Sequence, residues 1–281
     1  MNPAPGRRPL ILAATTATAG LLLVAGCSSD GGGGTSTTAD GVPLVKAGQL
    51  TTCTHLPYPP FQSEIDGKVQ GFDVSLIDLV AKDLGVEQHI VDTPFENFKT
   101  GAFLNSEQCD LAAAGMTITA ERKKNVDFSD PYFDATQAVL VDKKSGIGSF
   151  ADLKGRKVGA QAQTTGEEYA KSKGLDPVSF ESSDAVLNGL RTGQVQAVVI
   201  DYPVVQGWLK DQANADAFTV VDNLNTGEQY GFTVKKGNTK LAAAINEAIK
   251  DAKADGTYKK LYEKWIGPYD EAAASASPSA S

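Results

Sequence analysis

The chain has 281 residues, 26 basic and 34 acidic side chains, and a formal net charge of −8 at pH 7. That length sustains one large domain or two smaller ones with a real core. A net acidic chain without a basic run argues against nucleic acid, whose affinity rests on Lys and Arg contacts to phosphate. With two histidines, His55 and His89, and no Cys-x-x-Cys or His-Glu-x-x-His spacing, neither a metal site nor a cofactor is expected.

The chain opens on Arg7 and Arg8 and then an uncharged apolar and small-residue stretch over 10–26. That stretch is short for a transmembrane helix and has the layout of a signal peptide over 1–26; the alternative is a retained membrane anchor. The Arg7-Arg8 pair also fits a two-arginine export signal, on weak evidence by itself. The junction Val24-Ala25-Gly26-Cys27 resembles the lipobox of bacterial lipoproteins. That resemblance implies a palmitoyl-type lipid on Cys27 and a position at the outer face of the cell membrane. Residues 27–40 are rich in Ser, Thr and Gly and are expected to be a flexible tether. At the other end, 271–281 is Ala- and Ser-rich and is expected to be a disordered tail.

Between these ends strands and helices alternate, which predicts α/β layering with mostly parallel sheets. A first strand is expected at 50–54. A helix over 72–84 carries Phe72, Leu76, Leu79, Val80 and Leu84 on one face, with Asp73 as N-cap and Gly85 as its end. A strand at 88–91, a helix at 95–104 and a short strand at 110–114 follow, and Thr119 caps a helical turn reaching Arg122. The pattern restarts after Asp130-Pro131-Tyr132. Strands are expected at 138–142, 157–160, 178–180 and 197–200, the last delivering Asp201. Between them Ser149 caps a short helix, Thr164-Thr165-Gly166 opens another to about 173, and Ser182 or Ser183 caps a third to 192. Strands at 218–221 and 230–234 precede a long helix from Asn238 or Thr239, broken by Gly256, and a last helix over 258–265. This gives two α/β units of similar grammar without a fixed repeat.

Ligands of open α/β sheets sit at the carboxyl ends of the strands. The polar and aromatic residues just after strands are Tyr58, Phe61, Phe95, Gly115, Thr117 and Arg122 in the first unit, and Thr164, Thr165 and Asp201 in the second. One cation, one anion, hydroxyls and aromatic walls suit a small zwitterion. Each residue has a plainer alternative: Arg122 a surface ion pair, Thr164 and Thr165 helix caps, Asp201 a cap for the helix at Pro203, Gly115 and Thr117 an ordinary turn, Tyr58 and Phe95 core packing.

Several motifs occur in order: Tyr58-Pro59-Pro60-Phe61, Gly71-Phe72-Asp73-Val74, Ala114-Gly115-Met116-Thr117-Ile118-Thr119, Glu121-Arg122, Val126-Asp127-Phe128-Ser129-Asp130-Pro131-Tyr132, Leu153-Lys154-Gly155, Gly166-Glu167-Glu168-Tyr169 and Ala254-Asp255-Gly256-Thr257-Tyr258. As an ordered set over roughly 50–268 they resemble the polar amino-acid substrate-binding proteins of ABC importers, the extracellular solute-binding proteins of family 3. The resemblance implies a type II periplasmic-binding-protein-like fold: two α/β lobes, two hinge strands and a ligand cleft between the lobes. Lobe 1 would hold 41–135 plus 233–270, and lobe 2 would hold 138–230, with crossings near Gln137 and Phe232. It further implies that Arg122 pairs with a ligand α-carboxylate and Asp201 with the α-ammonium, and that Tyr58 and Phe95 flank the side chain. It implies a disulfide between Cys53 and Cys109, on neighbouring strands of the first sheet. The implied partners are a free amino acid and the permease subunits of an importer, reached by a monomer tethered to the membrane through Cys27. His55 stands where many relatives that take cationic side chains have an acid, so a polar or acidic ligand is favoured over arginine or lysine; Glu64 remains a candidate second anion. The competing class is an enzyme on the same fold, a dehydratase or lyase, but no Gly-x-Ser-x-Gly turn or free catalytic cysteine supports it.

Overall fold

The computed structural model describes residues 36–270. The targeting segment, Cys27, most of the tether and the tail lie outside the described residues. Ordered structure begins inside the stretch expected to be tether: β1 (Ser36–Thr37) pairs antiparallel with β2 (Pro43–Leu44). The reason is local, since Val42 and Leu44 are buried in the core and anchor the hairpin.

The first lobe is built from β3 (Gln49–Thr54), the hairpin of β4 (Ser63–Ile65) and β5 (Lys68–Gln70), α1 (Phe72–Asp83), β6 (Glu87–Asp92), α2 (Glu96–Thr100), α3 (Ala102–Asn105), β7 (Leu111–Ala112) and β8 (Val126–Phe128). The chain then passes into β9 (Phe133–Asp142), β10 (Val158–Gln161), α4 (Thr165–Ser172), β11 (Val178–Phe180), α5 (Ser183–Arg191), β12 (Ala197–Asp201), α6 (Tyr202–Trp208), α7 (Gln212–Ala217) and β13 (Phe218–Tyr230). It returns with β14 (Thr233–Lys235), α8 (Thr239–Ala254) and α9 (Thr257–Trp265).

The two sheets repeat one plan. The first has the order β6-β3-β7-β14-β8 and the second β11-β10-β12-β9-β13. In each, three strands run parallel and the last two join antiparallel. The antiparallel edge departs from the mostly parallel sheets expected, because β14 and β9 enter their sheets from the opposite lobe's side of the chain rather than through a helical crossover. β9 and β13 pair from Phe218↔Asp142 to Tyr230↔Phe133, so Gln137 lies inside a paired strand, opposite Asp201 and Leu224. The passages between sheets are the short links from Phe128 to Phe133 and from Tyr230 to Thr233.

Most apolar periodicity finds its core. α1 buries Phe72, Leu76, Ile77 and Val80 against Leu241, Ile245 and Ile249 of α8, and Leu79 packs half-buried on the same core. The helix expected at 95–104 is split at Gly101, whose φ of 65° is left-handed. Cys53, in β3, and Cys109, just before β7, form the expected disulfide with Cα atoms 5.7 Å apart. No helix among the described residues is long and apolar enough to cross a membrane.

Candidate functional site

The carboxyl ends of the two parallel strand trios face each other. The loop after β3 carries Tyr58, the segment after β6 carries Phe95, and the chain leaving β7 carries Gly115, Thr117 and Arg122. From the second sheet β10 ends at Gln161 and leads to Thr164 and Thr165 at the start of α4, and β12 ends at Asp201. Eight of the nine residues collected after strands, joined by Ala114 and Gln161, line one cavity; the ninth, Phe61, is fully buried against Phe72, Phe133 and Tyr230 in the core instead.

Arg122 is 4% exposed. Its guanidinium donates to Thr117 O at 2.8 Å and to Gln163 O at 3.3 Å, and no carboxylate among the described residues forms an ion pair with it. The surface ion pair weighed as its alternative is therefore not what the fold builds. Burial pulls its pKa down, opposed by Glu168, Asp201 and Glu228. A buried guanidinium with donors left over is costly unless an anion meets it.

Asp201 ends a strand buried at every position. It makes no side-chain cap to α6. Instead Oδ2 accepts from Tyr58 OH at 2.5 Å and from Tyr230 OH, and Oδ1 accepts from Gln137 Nε2 at 2.5 Å. A carboxylate has about four lone-pair sites, so one on Oδ1 remains for a further donor. Burial, with Glu228 second, pushes its pKa up to about 6. Gln137 Nε2 also donates to Glu228 Oε2 at 2.8 Å, which ties the site to β13.

Thr164 does two things at once. Its hydroxyl accepts from Glu167 N at 3.2 Å, capping α4, and donates to Gln161 O at 2.7 Å while it lines the cavity. Gly115 needs its freedom: φ is +57°, and an added Cβ would stand 3.0 Å from Tyr58 Cε1. Its N–H donates to Asp73 Oδ2 at 2.9 Å, and Tyr132 OH donates to Asp73 Oδ1 at 2.6 Å. Asp73 is thus not the N-cap of α1, which is Gly71. It is a fully buried carboxylate that fixes the Gly115 turn, and burial raises its pKa to about 7.

The cleft is closed upon itself. Besides the Tyr58–Asp201 bond, Thr117 and Thr165 hydroxyls meet at 3.3 Å, Ser183 Oγ donates to Pro57 O at 2.7 Å, and Lys99 pairs with Glu168 at 3.1 Å. About 10 Å³ remains open, room for roughly one water. Admitting a larger molecule requires these direct lobe-to-lobe contacts to part.

Two further residues singled out from the sequence stand apart from the cavity lining. His55 packs on Phe95 at 5.9 Å, with Nδ1 3.1 Å from Thr93 O. Glu64 is exposed on the β4–β5 hairpin. Gln137, Gln161, Glu228 and Tyr230 were not anticipated. Gln161 was recoverable, since it closes a strand whose carboxyl end was already suspected. Glu228 and Tyr230 depend on β13 running through to Tyr230, which its polar, Gly-containing sequence conceals, and Gln137 lies on β9 opposite Asp201. A larger groove of about 460 Å³ lies beside β2 and the start of α8. Two of its lysines are spoken for, Lys235 by Glu107 and Lys236 by Asp127, so it has less call on a ligand.

Comparison with known proteins agrees with this geometry. Residues 50–268 match the family model described as bacterial extracellular solute-binding proteins, family 3. The chain is 36% identical over 204 residues to the ABC transporter glutamine-binding protein GlnH of Bacillus subtilis (strain 168), covering 71% of this chain and 74% of that one. It is 34% identical over 220 residues to the putative ABC transporter arginine-binding protein 2 of Escherichia coli (strain K12), covering 76% and 88%. Among solved structures, an ancestral arginine-binding protein bound to glutamine superposes with a TM-score of 0.73 at 41% identity, over 79% of this chain and 99% of that one.

Proposed function

This chain belongs to the bacterial extracellular solute-binding proteins of family 3, and from that premise we propose that it is the substrate-binding component of an ABC-type amino-acid importer. It captures a free L-α-amino acid between its lobes and does not turn it over. One observation carries the reading: Arg122 is buried and has no carboxylate partner among the described residues, while Asp201 stands in the same cavity with an acceptor site to spare. The pair matches the two charges of a zwitterion. The α-carboxylate would meet Arg122, aided by backbone amides at Thr117 and at the start of α4. The α-ammonium would meet Asp201 and the Gly115 carbonyl, with Tyr58 and Phe95 beside the side chain.

Arg122 is the sole cation and Asp201 the sole anion among the cavity-lining residues, and both are committed to the α-groups. With no spare anion in the lining, that supports a polar side chain over arginine or lysine, and an acidic one finds no spare cation. We further infer a lipid on Cys27 that holds the monomer at the extracellular face of the membrane, beside permease subunits. The lobes would run over 41–135 plus 233–270 and over 138–230. A thermal-shift panel of free amino acids tests the binding claim, because a ligand that binds only the folded state raises Tm by mass action. At least one L-amino acid should raise Tm in the parent protein and fail to do so in Arg122→Ala. A melting temperature indifferent to every amino acid, or a shift that survives Arg122→Ala intact, would overturn the reading.

A further inference from the structure

Gln161 closes β10, is 1% exposed, and lines the ligand cavity. Neither its Oε1 nor its Nε2 has a hydrogen-bond partner among the described residues. Leaving both ends of a buried primary amide unpaired is costly, and native interiors rarely do so without a reason. Its backbone, by contrast, is engaged: Gln161 pairs with Phe180 of β11, and its O accepts from Thr164 Oγ1. The side chain is therefore held in place by the sheet while its donor and acceptor stay uncommitted.

We propose that Gln161 is the specificity residue for the ligand's side chain, and that the preferred ligand is an L-amino acid whose side chain ends in a carboxamide. The proposal rests on the amino-acid-binding reading above. A primary amide presents a carbonyl acceptor and an N–H donor side by side, and a second amide matches them atom for atom, N–H to Oε1 and C=O to Nε2. A carboxylate side chain accepts from Nε2 but leaves Oε1 facing a second acceptor. A guanidinium or ammonium donates to Oε1 but leaves Nε2 facing a second donor. Neither finds a spare counter-charge, because Arg122 and Asp201 are the charged residues of the lining and both serve the α-groups. Glu228 is not a lining residue and is already held by Gln137. A hydroxyl offers a single oxygen to two separated amide atoms.

Calorimetric titration of the full chain with L-glutamine, L-asparagine, L-glutamate, L-arginine and L-serine tests this, alongside Gln161→Leu and the near-isosteric Gln161→Glu. The parent protein should prefer one of the two carboxamides over each of the others by roughly 10- to 100-fold, the cost of leaving a buried amide group unpaired. Gln161→Leu should collapse that preference toward unity while an amino acid still binds through its α-groups. Gln161→Glu keeps the volume and should move the preference toward arginine. A parent protein that prefers glutamate, arginine or serine overturns the proposal. So does a carboxamide preference that survives both substitutions. Loss of all amino-acid binding in the parent protein would instead bring down the functional reading beneath it.

Discussion

In the proposed site Arg122 and Asp201 would work as a pair of unequal parts. Arg122 keeps its charge whatever the pH and waits for an anion; Asp201 has to be ionised before it can hold an ammonium. Truncating either would leave the ligand's opposing charge buried and unpaired, so Arg122→Ala and Asp201→Ala should each weaken binding by about 2–5 kcal/mol, tens- to thousands-fold, in calorimetry. The pH dependence follows from Asp201, which burial and Glu228 hold at about 6 against an ordinary 3.8. Ligand ammonium needs the carboxylate, so affinity is full above about pH 6 and falls as pH drops through it, by up to about tenfold per unit. For the ligand-free fold the sign is opposite. A raised carboxyl favours the folded state in its protonated form, so that contribution is whole below the ordinary value and is lost as pH rises through about 6. Titrations at about pH 7.5 and about pH 4.5 should differ by more than tenfold. An affinity flat across that interval would mean that Asp201 does not grip the ligand.

At the scale of elements, the parallel trios set the site and two close approaches keep it in register. A Cβ added at Gly166 would stand 2.6 Å from Gln137 Oε1 and 3.3 Å from Val199 O, so the first turn of α4 lies against β9 and β12 because that position is glycine. Gly166→Ala should cost about 1–3 kcal/mol of stability through overpacking, and should weaken binding too, since it displaces Thr164 and Thr165. Chemical denaturation and calorimetry on the same variant check both effects; a variant as stable as the parent would contradict the packing described. The disulfide between Cys53 and Cys109 closes a loop spanning 56 positions. Replacing both cysteines by alanine should cost about 2–4 kcal/mol, measured by the denaturation midpoint. Much of this level was legible in the sequence. The apolar runs at β10 and β12, the Thr164 cap and the Gly256 interruption follow from period and punctuation, whereas the break at Gly101 inside the helix expected at 95–104 did not. β13 was not, because its exposed Asn225, Gly227 and neighbours alternate with half-buried positions and two register shifts interrupt the ladder. With β13 went Glu228 and Tyr230, and hence one of the three hydrogen bonds that Asp201 accepts. Asp73 was misjudged for a related reason: a capping residue near a helix start and a buried carboxylate serving a distant turn look alike in sequence, and only Gly115 and Tyr132 tell them apart.

For the whole molecule, closure is the event on which transport would turn. In the reading proposed here, ligand contacts would divide between Thr117 and Arg122 on one lobe and Thr165 and Asp201 on the other, so a bound amino acid would stabilise the closed arrangement by its differential affinity for it. The direct contacts already seen across the cleft, Tyr58 to Asp201 and Thr117 to Thr165, would compete with the ligand for the same groups. Small-angle scattering at saturating ligand should match the closed arrangement described here; a larger radius of gyration than that arrangement gives would contradict closure around the ligand. The central claim is narrower than closure: the cleft reads the two charges of a free amino acid. Calorimetry of the best-binding amino acid against its own α-amide, in the parent protein and in Arg122→Ala, tests it most directly. The account expects the parent to lose as much affinity on going to the α-amide as Arg122→Ala loses on the free acid, and Arg122→Ala to bind both forms alike. A parent protein that binds the α-amide as tightly as the free amino acid would contradict it.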